Sequence, residues 1–456
     1  MLEVENLILG GGISGISASY HIGHDKCTVL EQNDYSLGIL ESRTIDGYTW
    51  DQGPHVSFTK HDYVKQLFAG NVNGQYEEHA VSPVNFYKGV WLDHPVQSNL
   101  YQLPDDLKDR CVASFLDERN KERDEEPLLD NYQEWCNYSL GAEITSEFIA
   151  AYTRKYWTVE PNELTTDWIG PRVHVPNVDD LLAGAIGKSA GKNHYISTIR
   201  YPTSGGYQSF VEPLVKNSNM LLNHRVASID LQNKLVECSN GSSFRYKKLI
   251  STLPLPIFVS LVSNLDEAAT EAAQKLRCSE LLLVNVEVPH KVSRKEHWLY
   301  VYDQDMLTSR VTLMDNLASS NAPEGRSAVQ VEVYSSIDKP LEYDAATTGR
   351  IVVDELFRMG VINEDFNVNG IKFHTRSLKY ANIIFDHNRR AALDCIFTCL
   401  EAYGLRRKEG DLDALTDWNK LAEYKRGDLC LLGRFGEWKY YWSDDCVMAG
   451  KALTGT

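Results

Sequence analysis

The amino-acid sequence predicts an α/β protein that combines a parallel-sheet domain, a helical insertion and a second domain with a mixed sheet. Residues 4–9 form a short apolar run typical of a buried strand, and helical spacing follows from Ile13 to Ile22, with a Gly-x-Gly-x-x-Gly turn between them. Further along, helical spacing gives way to apolar runs that are typical of strands. We assign residues 1–90, 205–255 and 425–456 to the first domain, 91–204 to the insertion and 256–424 to the second domain.

The turn contains Gly10, Gly12 and Gly15, which have the spacing of a Rossmann-like dinucleotide-binding unit. The first glycine permits the tight turn, the second lets a pyrophosphate approach the backbone, and the third lets the helix pack on the sheet. The helix N-terminus then offers free N–H groups and a positive dipole end to the phosphates. A second strand, 27–30, ends in Glu31, where an acid binds a ribose hydroxyl. This acid favours FAD or NAD over NADP.

The composition is that of an ordinary globular protein and argues against several partners. The chain has 456 residues, 43% of them hydrophobic, and a net charge of −17. This acidic balance disfavours nucleic acid or an anionic membrane as the main partner. We find no leader with a basic region and no apolar run near the ~20 residues of a membrane span. The nine cysteines are scattered without a C-x-x-C pair, so we expect free thiols in the cytoplasm and no metal site.

The remaining elements are predicted in chain order. Helical spacing covers residues 128–158 and 164–190, continues after the loop at 201–207 as far as Val215, and recurs over 346–359 and 391–403. Strand patterns cover 221–231, 234–238, 244–252, 281–288, 298–302 and 328–334. The charged segment 117–126 is typical of a solvated helix face.

Two short segments are candidates for contact with a cofactor. Gly53-Pro54-His55 can aim a backbone or an imidazole at a cofactor ring, or it can be a plain β-turn with a surface histidine. Near the C-terminus, a strand and turn over 431–440 precede Ser443-Asp444-Asp445, which is N-cap chemistry for a helix over 446–453. That helix N-terminus can hold a polar group of a cofactor, or it is simply a well-capped terminal helix.

Taken together, the chain resembles the flavin amine oxidase and protoporphyrinogen oxidase superfamily, and within it the UDP-galactopyranose mutases, especially the eukaryotic type. The resemblance spans essentially the whole chain. It is carried by Gly10 to Gly15 with Glu31; Gly53 to Phe58; Pro95 to Leu100 with Leu103-Pro104; Tyr152 to Trp157 with 161–164 and 168–172; and Gly433 to Gly436 with Trp438 and Tyr440. The first stretch is common to flavoproteins, whereas Gln97 and the segment 433–440 are more specific.

The resemblance implies a Rossmann-like FAD-binding domain and a nucleotide-sugar mutase of a polysaccharide pathway. Reduced FAD is then the working cofactor, with NAD(P)H as a possible external reductant. Ring contraction of the sugar proceeds through a flavin N5–sugar adduct with no net redox change. The alternatives are a true FAD oxidoreductase of the amine oxidase type acting on a small substrate, and a flavin- or nucleotide-sugar-binding protein without catalysis.

The resemblance also assigns residues by position. The catalytic residues are His55, Arg310 and Arg434. The cofactor-binding residues are Gly10, Gly12, Ile13, Ser14, Gly15, Glu31, Gln32, Gly38, Ser42, Gly53, His55, Val226, Arg434, Ser443, Asp444 and Asp445. The substrate-binding residues are Phe58, Gln97, Trp157, Arg172, Trp298, Tyr300, Arg310, Tyr380 and Tyr440. Within this set, Arg172 and Arg310 clamp the pyrophosphate, since a bidentate guanidinium suits a diphosphate better than lysine does.

Several positions depart from the family pattern. A Gly-Gly of the flavin loop is Gly38-Ile39 here, and the Gly-Gly-His beside the flavin is Gly53-Pro54-His55. The Tyr-Pro-Phe-Gln segment is His94-Pro95-Val96-Gln97, an asparagine before the pocket tryptophan is Thr153, and the asparagine that pairs with uracil falls at Ile196. Loss of such a base-edge hydrogen bond costs about 1–3 kcal/mol. The diphosphate clamp is therefore retained, while the base and sugar ends are altered.

Overall fold

The computed structural model describes residues 1–187, 197–363, 365–407, 410–418 and 427–454, and it is built on two large sheets. The strands are β1 Leu2–Leu9, β2 Cys27–Leu30, β3 Ser42–Ile45, β4 Tyr48–Asp51, β5 Tyr76–Ala80, β6 Pro83–Tyr87, β7 Val90–Asp93, β8 Thr198–Pro202, β9 Met220–Leu221, β10 Val226–Asp230, β11 Leu235–Cys238, β12 Ser243–Ser251, β13 Glu280–Val288, β14 Trp298–Val301, β15 Arg310–Leu313, β16 Ser327–Ser335, β17 Lys372–Leu378 and β18 Leu429–Leu431. The helices are α1 Ile13–Ile22, α2 Asp62–Asn71, α3 Asp105–Arg119, α4 Tyr132–Leu140, α5 Ala142–Ile144, α6 Ala151–Tyr156, α7 Val178–Ala185, α8 Leu255–Leu261, α9 Glu267–Gln274, α10 Met314–Leu317, α11 Ala345–Arg358, α12 Arg389–Glu401 and α13 Ser443–Ala452.

The first sheet confirms the predicted α/β class. Its order is β10-β11-β12-β1-β2-β9, with β18 also paired to β12, and the strands around β1 run parallel. Leu7, Ile8 and Leu9 are fully buried because helices cover both faces of a parallel sheet. Ile8 packs in the cluster that contains α1 and α13, whereas Leu7 and Leu9 pack in the cluster that contains α8, α9 and α12. Strands from both ends of the chain thus share one sheet.

The second sheet has the order β17-β13-β16-β15-β14-β6-β7. Strands β6 and β7 lie in it, although residues 83–90 were assigned to the first domain. They do so because Val84 and Phe86 bury their side chains in the core of this sheet, and β6 pairs in parallel with β14. Conversely, α8, α9 and α12 were assigned to the second domain but pack on the first sheet.

Several predicted elements are shorter or interrupted. The segment 128–158 is divided among α4, α5, a π-helical segment Thr145–Ala150 and α6, and it breaks at Gly141, whose φ is 78°. Within the described part of 164–190, only α7 is α-helical, and residues 207–215 form two 3₁₀ turns. The expected strand 221–231 is split into β9 and β10 around Asn223, whose φ is 57°. Helix α3 ends at Arg119, so most of the charged segment 117–126 lies outside a helix.

Within the described residues, no helix combines the length and the apolar character needed to cross a membrane. The same residues contain no group of three or more His, Cys, Asp or Glu side chains arranged to hold a metal ion.

Candidate functional site

The glycine turn after β1 has the geometry that a dinucleotide needs. Gly10 has a φ of +100°, which an L side chain rarely adopts. A Cβ on Gly15 would lie 2.1 Å from the carbonyl oxygen of Gly10, so this glycine is required for the helix to pack against the turn. A Cβ on Gly12 would meet no atom within 4 Å, because this residue faces an open cavity. The three glycines therefore have three separate roles.

Glu31 lies at the end of β2 and lines the same cavity. Its Oε2 accepts a hydrogen bond from the backbone N–H of Gly11 at 2.8 Å, and its Oε1 accepts from the N–H of Asn33 at 2.9 Å. The carboxylate thus holds the glycine turn in place. Each carboxylate oxygen has further lone pairs, so the group can also accept a ligand hydroxyl from the cavity.

The C-terminal segment packs directly on the N-terminal helix. The Ser17 hydroxyl donates to the carbonyl of Val447 at 2.8 Å, which fixes α13 against α1. A Cβ on Gly433 would lie 2.2 Å from the hydroxyl of Ser14. The first turn of α13 then reaches the cavity through Ser443 and Asp444. Both ends of the chain therefore build one site.

The cofactor cavity has a volume of about 500 Å³ and extends from the glycine turn to the second sheet. The predicted cofactor residues that line it are Gly10, Gly12, Ile13, Ser14, Glu31, Gln32, Gly38, Gly53, His55, Arg434, Ser443 and Asp444. At its far end, Nε of Arg434 and Oγ1 of Thr312 are buried without a hydrogen-bond partner among the described residues. An open glycine turn, an acid at the end of β2 that lines the cavity, and unpaired polar atoms at the other end fit a flavin dinucleotide.

Four predicted cofactor residues do not line this cavity. Gly15 lies beneath the turn, as described above. Ser42 donates to the Asp51 carboxylate at 2.6 Å and accepts from the backbone of Gln208, so it belongs to a buried structural network. Val226 begins β10 at the edge of the first sheet and packs on its core. The Asp445 carboxylate accepts from the Trp418 indole and the Trp442 backbone, both at 2.8 Å, and thus caps α13.

His55 lies in the wall of the cofactor cavity, which Arg310 and Arg434 also line. Burial, together with the positive charges of Arg310 and Arg434, lowers the pKa of His55 to about 4. The imidazole is therefore neutral at pH 7, when it can exchange hydrogen bonds with a ligand but cannot supply a positive charge. The preceding Gly53 adopts a φ of +95°, and Pro54 follows it without an N–H to donate.

A second cavity, of about 210 Å³, adjoins the cofactor cavity. The two share Tyr156, Tyr300, Arg310 and Tyr440 in their walls. Of the predicted substrate residues, Gln97, Trp157, Arg172, Tyr300, Arg310 and Tyr440 line this second cavity, and Phe58, Trp298, Tyr300, Arg310, Tyr380 and Tyr440 line the first. The two arginines expected to clamp a pyrophosphate therefore share one cavity.

Arg172 is held in place by aromatic rings. Its guanidinium carbon lies 4.1 Å from the ring centre of Tyr440 and 4.4 Å from that of Trp442. Its Nη1 donates to the carbonyl of Trp168 at 3.2 Å, and its Nε is buried without a partner among the described residues. Stacking fixes the plane of the guanidinium and leaves donors for a ligand.

Arg310 forms a bidentate ion pair with Glu332. Its Nε and Nη2 donate to the two carboxylate oxygens at 2.6 and 2.8 Å. The Tyr334 hydroxyl also donates to Glu332, at 3.2 Å. Although burial opposes the charged form, the Glu332 carboxylate raises the pKa of Arg310 well above its usual value. The guanidinium is thus permanently charged, and its charge is matched by a carboxylate.

Arg434 is oriented by Asn382. Its Nη2 donates to Oδ1 of Asn382 at 2.8 Å, and the Tyr156 hydroxyl donates to the same oxygen at 3.1 Å. Oδ1 of Asn382 thus connects the C-terminal segment, the helical insertion and the loop that follows β17.

The structure adds residues to the site that the sequence did not indicate: Tyr152, Tyr156, Glu332, Tyr334 and Asn382. The sequence does contain a pattern that could have indicated Glu332, because it is a charged residue in the middle of the apolar run 328–334. Tyr152 and Tyr156 lie in a stretch that carries the family resemblance, but they were not assigned to the site because a lone aromatic residue is more often part of the core. His94 replaces a family tyrosine and pairs its Nδ1 with Oδ1 of Asn85 at 2.9 Å. Ile196 lies outside the described residues.

With this geometry established, the chain can be placed in a protein family. It belongs to the flavin containing amine oxidoreductase family, whose model matches residues 13–359. A flavin cofactor follows from that membership.

Individual relatives of the chain have low sequence identity to it. Protoporphyrinogen oxidase 1 of the chloroplast, from Spinacia oleracea, is 23% identical over 370 residues, which is 71% of this chain; the chain spans 65% of the length of that relative. A crystal structure of reduced UDP-galactopyranose mutase superposes with a TM-score of 0.85 at 21% identity, covering 99% of this chain and 93% of the other. A crystal structure of a protein from Exiguobacterium sp. 255-15, assigned as a protoporphyrinogen oxidase, gives a TM-score of 0.71 at 14% identity and covers 99% of this chain and 97% of the other. At these identities the likeness defines the fold.

Proposed function

We propose that the protein is an FAD-dependent nucleotide-sugar mutase of the UDP-galactopyranose mutase type. The observation that carries this proposal is that Arg172 and Arg310 line the second cavity, which adjoins the cofactor cavity. A net charge of −17 works against anionic ligands, so two arginines in one cavity favour a substrate with a diphosphate. Fixed guanidinium groups bind diphosphates in a bidentate manner.

When bound in its reduced form, FAD supplies the nucleophile for the sugar. The protein supplies the rest. Arg172 and Arg310 hold the diphosphate as it leaves and keep it close for its return. His55 is neutral at pH 7 and sits where it can exchange hydrogen bonds with the flavin or the sugar. The aromatic walls exclude water, which would otherwise hydrolyse an activated sugar.

The phenols around the arginines act as hydrogen-bond donors. Burial raises the pKa of Tyr152 and of Tyr300 above the usual value, so both stay protonated at neutral pH. The Tyr152 hydroxyl is buried without a partner among the described residues. It is therefore available to a phosphate or sugar oxygen, whereas a proton shuttle at pH 7 would need a group that titrates nearer neutrality.

The test is conversion of UDP-galactopyranose to the furanose form, followed by liquid chromatography, with the flavin either reduced by dithionite under nitrogen or left oxidised. We expect turnover only after reduction, and the same reaction with NAD(P)H as the reductant. Reduced, flavin-loaded protein that neither binds nor converts UDP-hexoses would refute the proposal.

A second candidate is an FAD oxidoreductase acting on a small substrate. Pro54 beside His55 and the charge pairing of Arg310 by Glu332 favour it, because both reduce what the site offers to a sugar diphosphate. Oxygen consumption with an amine or another reduced substrate, and no requirement for Arg172, would support this alternative.

A cytoplasmic location is consistent with the cysteines. All nine are described, and none of them forms a disulfide. Thiols persist in reducing compartments, so we propose that the protein works there.

A further inference from the structure

Glu332 occupies an unusual position for a charged side chain. It lies in β16, whose residues are all buried, and it is 1% exposed. Side chains alternate along a strand: Val329, Val331 and Val333 enter the core of the second sheet, whereas Glu332 and Tyr334 line the cofactor cavity. A carboxylate here is costly unless it is paired.

The pairing partner is directly opposite. Arg310 and Glu332 are register neighbours on the antiparallel strands β15 and β16, and both carboxylate oxygens accept from the guanidinium. A buried ion pair of this kind is seldom a gain in stability over apolar side chains of similar size. Because the Arg310–Glu332 pair lies in the wall of the cofactor cavity, we expect it to act on a ligand there rather than on stability.

We propose that Glu332 sets the charge of the site: it compensates Arg310, weakens the hold on an anionic ligand and lowers the reduction potential of the flavin. This inference rests on the proposed anion site. The second cavity has no carboxylate in its wall, so within the described residues Glu332 is the counter-charge at the junction of the two cavities. In a low dielectric, one charge acts strongly on its neighbours.

The test is a cycle of flavin-loaded variants. Glu332→Gln keeps the shape and removes the negative charge, Arg310→Gln removes the positive charge, and the double variant restores the net charge of the pair. Glu287→Gln is the control, because it removes one carboxylate from β13 of the same sheet, outside both cavities. Two quantities are measured: the affinity for inorganic pyrophosphate, by flavin difference spectroscopy, and the midpoint potential of the flavin.

We expect Glu332→Gln to bind pyrophosphate about tenfold more tightly, or about 1.4 kcal/mol. Its two-electron midpoint potential should rise by about 30 mV, since that shift is a tenfold change in equilibrium constant. Arg310→Gln should change both quantities in the opposite direction, and the double variant should return close to the wild-type potential. If Glu332→Gln does not fold, the comparison of Arg310→Gln with the double variant measures the effect of removing the Glu332 charge.

A purely structural role would weaken pyrophosphate binding in both single variants and leave the potential unchanged, and that result would overturn the inference. Wild-type protein that binds no pyrophosphate would also overturn it. Neither measurement needs a nucleotide sugar. If the cycle behaves as expected but UDP-galactopyranose is not converted, the proposed function fails and the role of Glu332 stands.

Discussion

Replacement of Arg172 by lysine tests the anion site most directly. Lysine keeps the positive charge but lacks the planar fork, and a compact ammonium cannot stack on two rings in the same way. In the structure, the guanidinium lies within 4.4 Å of the ring centres of both Tyr440 and Trp442. The variant therefore separates the geometry of the site from its charge.

The expected magnitude follows from these contacts. A hydrogen bond to a charged group is worth about 1.5–3 kcal/mol, and cation–π contacts add about 0.5–1 kcal/mol at exposed sites. Because lysine retains one point contact, we expect a net loss of about 2 kcal/mol. At 1.4 kcal/mol for each factor of ten, UDP should bind roughly 30-fold more weakly.

The assay is calorimetric titration of UDP into flavin-loaded protein, with the flavin absorbance recorded to verify loading. Arg390→Lys is the control, since the Arg390 side chain is 64% exposed and pairs with Asp413 at the surface. A dissociation constant for Arg172→Lys within twofold of wild type would refute the clamp. A fall in melting temperature shared by both variants would show that the substitution acts through stability.

Two further predictions concern the turn and the core. Gly12→Ala should fold with an unchanged melting temperature but retain less flavin, because the new methyl group enters the cavity. Gly15→Ala should lose about 1–3 kcal/mol of stability, because its methyl group meets the Gly10 carbonyl. The flavin-to-protein absorbance ratio and urea unfolding distinguish the two variants, and equal flavin contents in both would contradict the separate roles of these glycines. Lys155 donates to the carbonyls of Asp303 and Met306, and burial lowers its pKa to about 7. The unfolded chain then binds more protons than the folded chain between pH 7 and about 10.5, so this group makes stability rise with pH, by at most about 1.4 kcal/mol per pH unit. Lys155→Met should flatten that rise. If the urea midpoints of the variant and the wild type change equally between pH 7.5 and 9.5, the prediction is wrong.

The local parts of the fold were predictable because their signals are local. The glycine turn, Glu31 and the strand patterns of β13, β14 and β16 depend on spacing and side-chain type within a few residues. Boundaries that depend on partners were not predictable in this way. Strand β6 joins the second sheet by pairing with the distant strand β14, and β7 follows by pairing with β6. The helical pattern over 128–158 is broken where Gly141 passes close to the backbone of Ser114.

The residue pattern alone predicted a dinucleotide at Gly10 to Gly15, and the family resemblance named the arginines available to a diphosphate. The folded chain was needed to establish that Arg172 and Arg310 share a cavity and that Glu332 forms an ion pair with Arg310. These two kinds of feature differ in the range of the interactions that produce them. A turn or a strand depends on the preferences of neighbouring residues, whereas the charge of a cavity depends on which side chains long-range pairing brings together. Residues 22 positions apart become direct neighbours across β15 and β16, and the charge of Arg310 is thereby paired with that of Glu332.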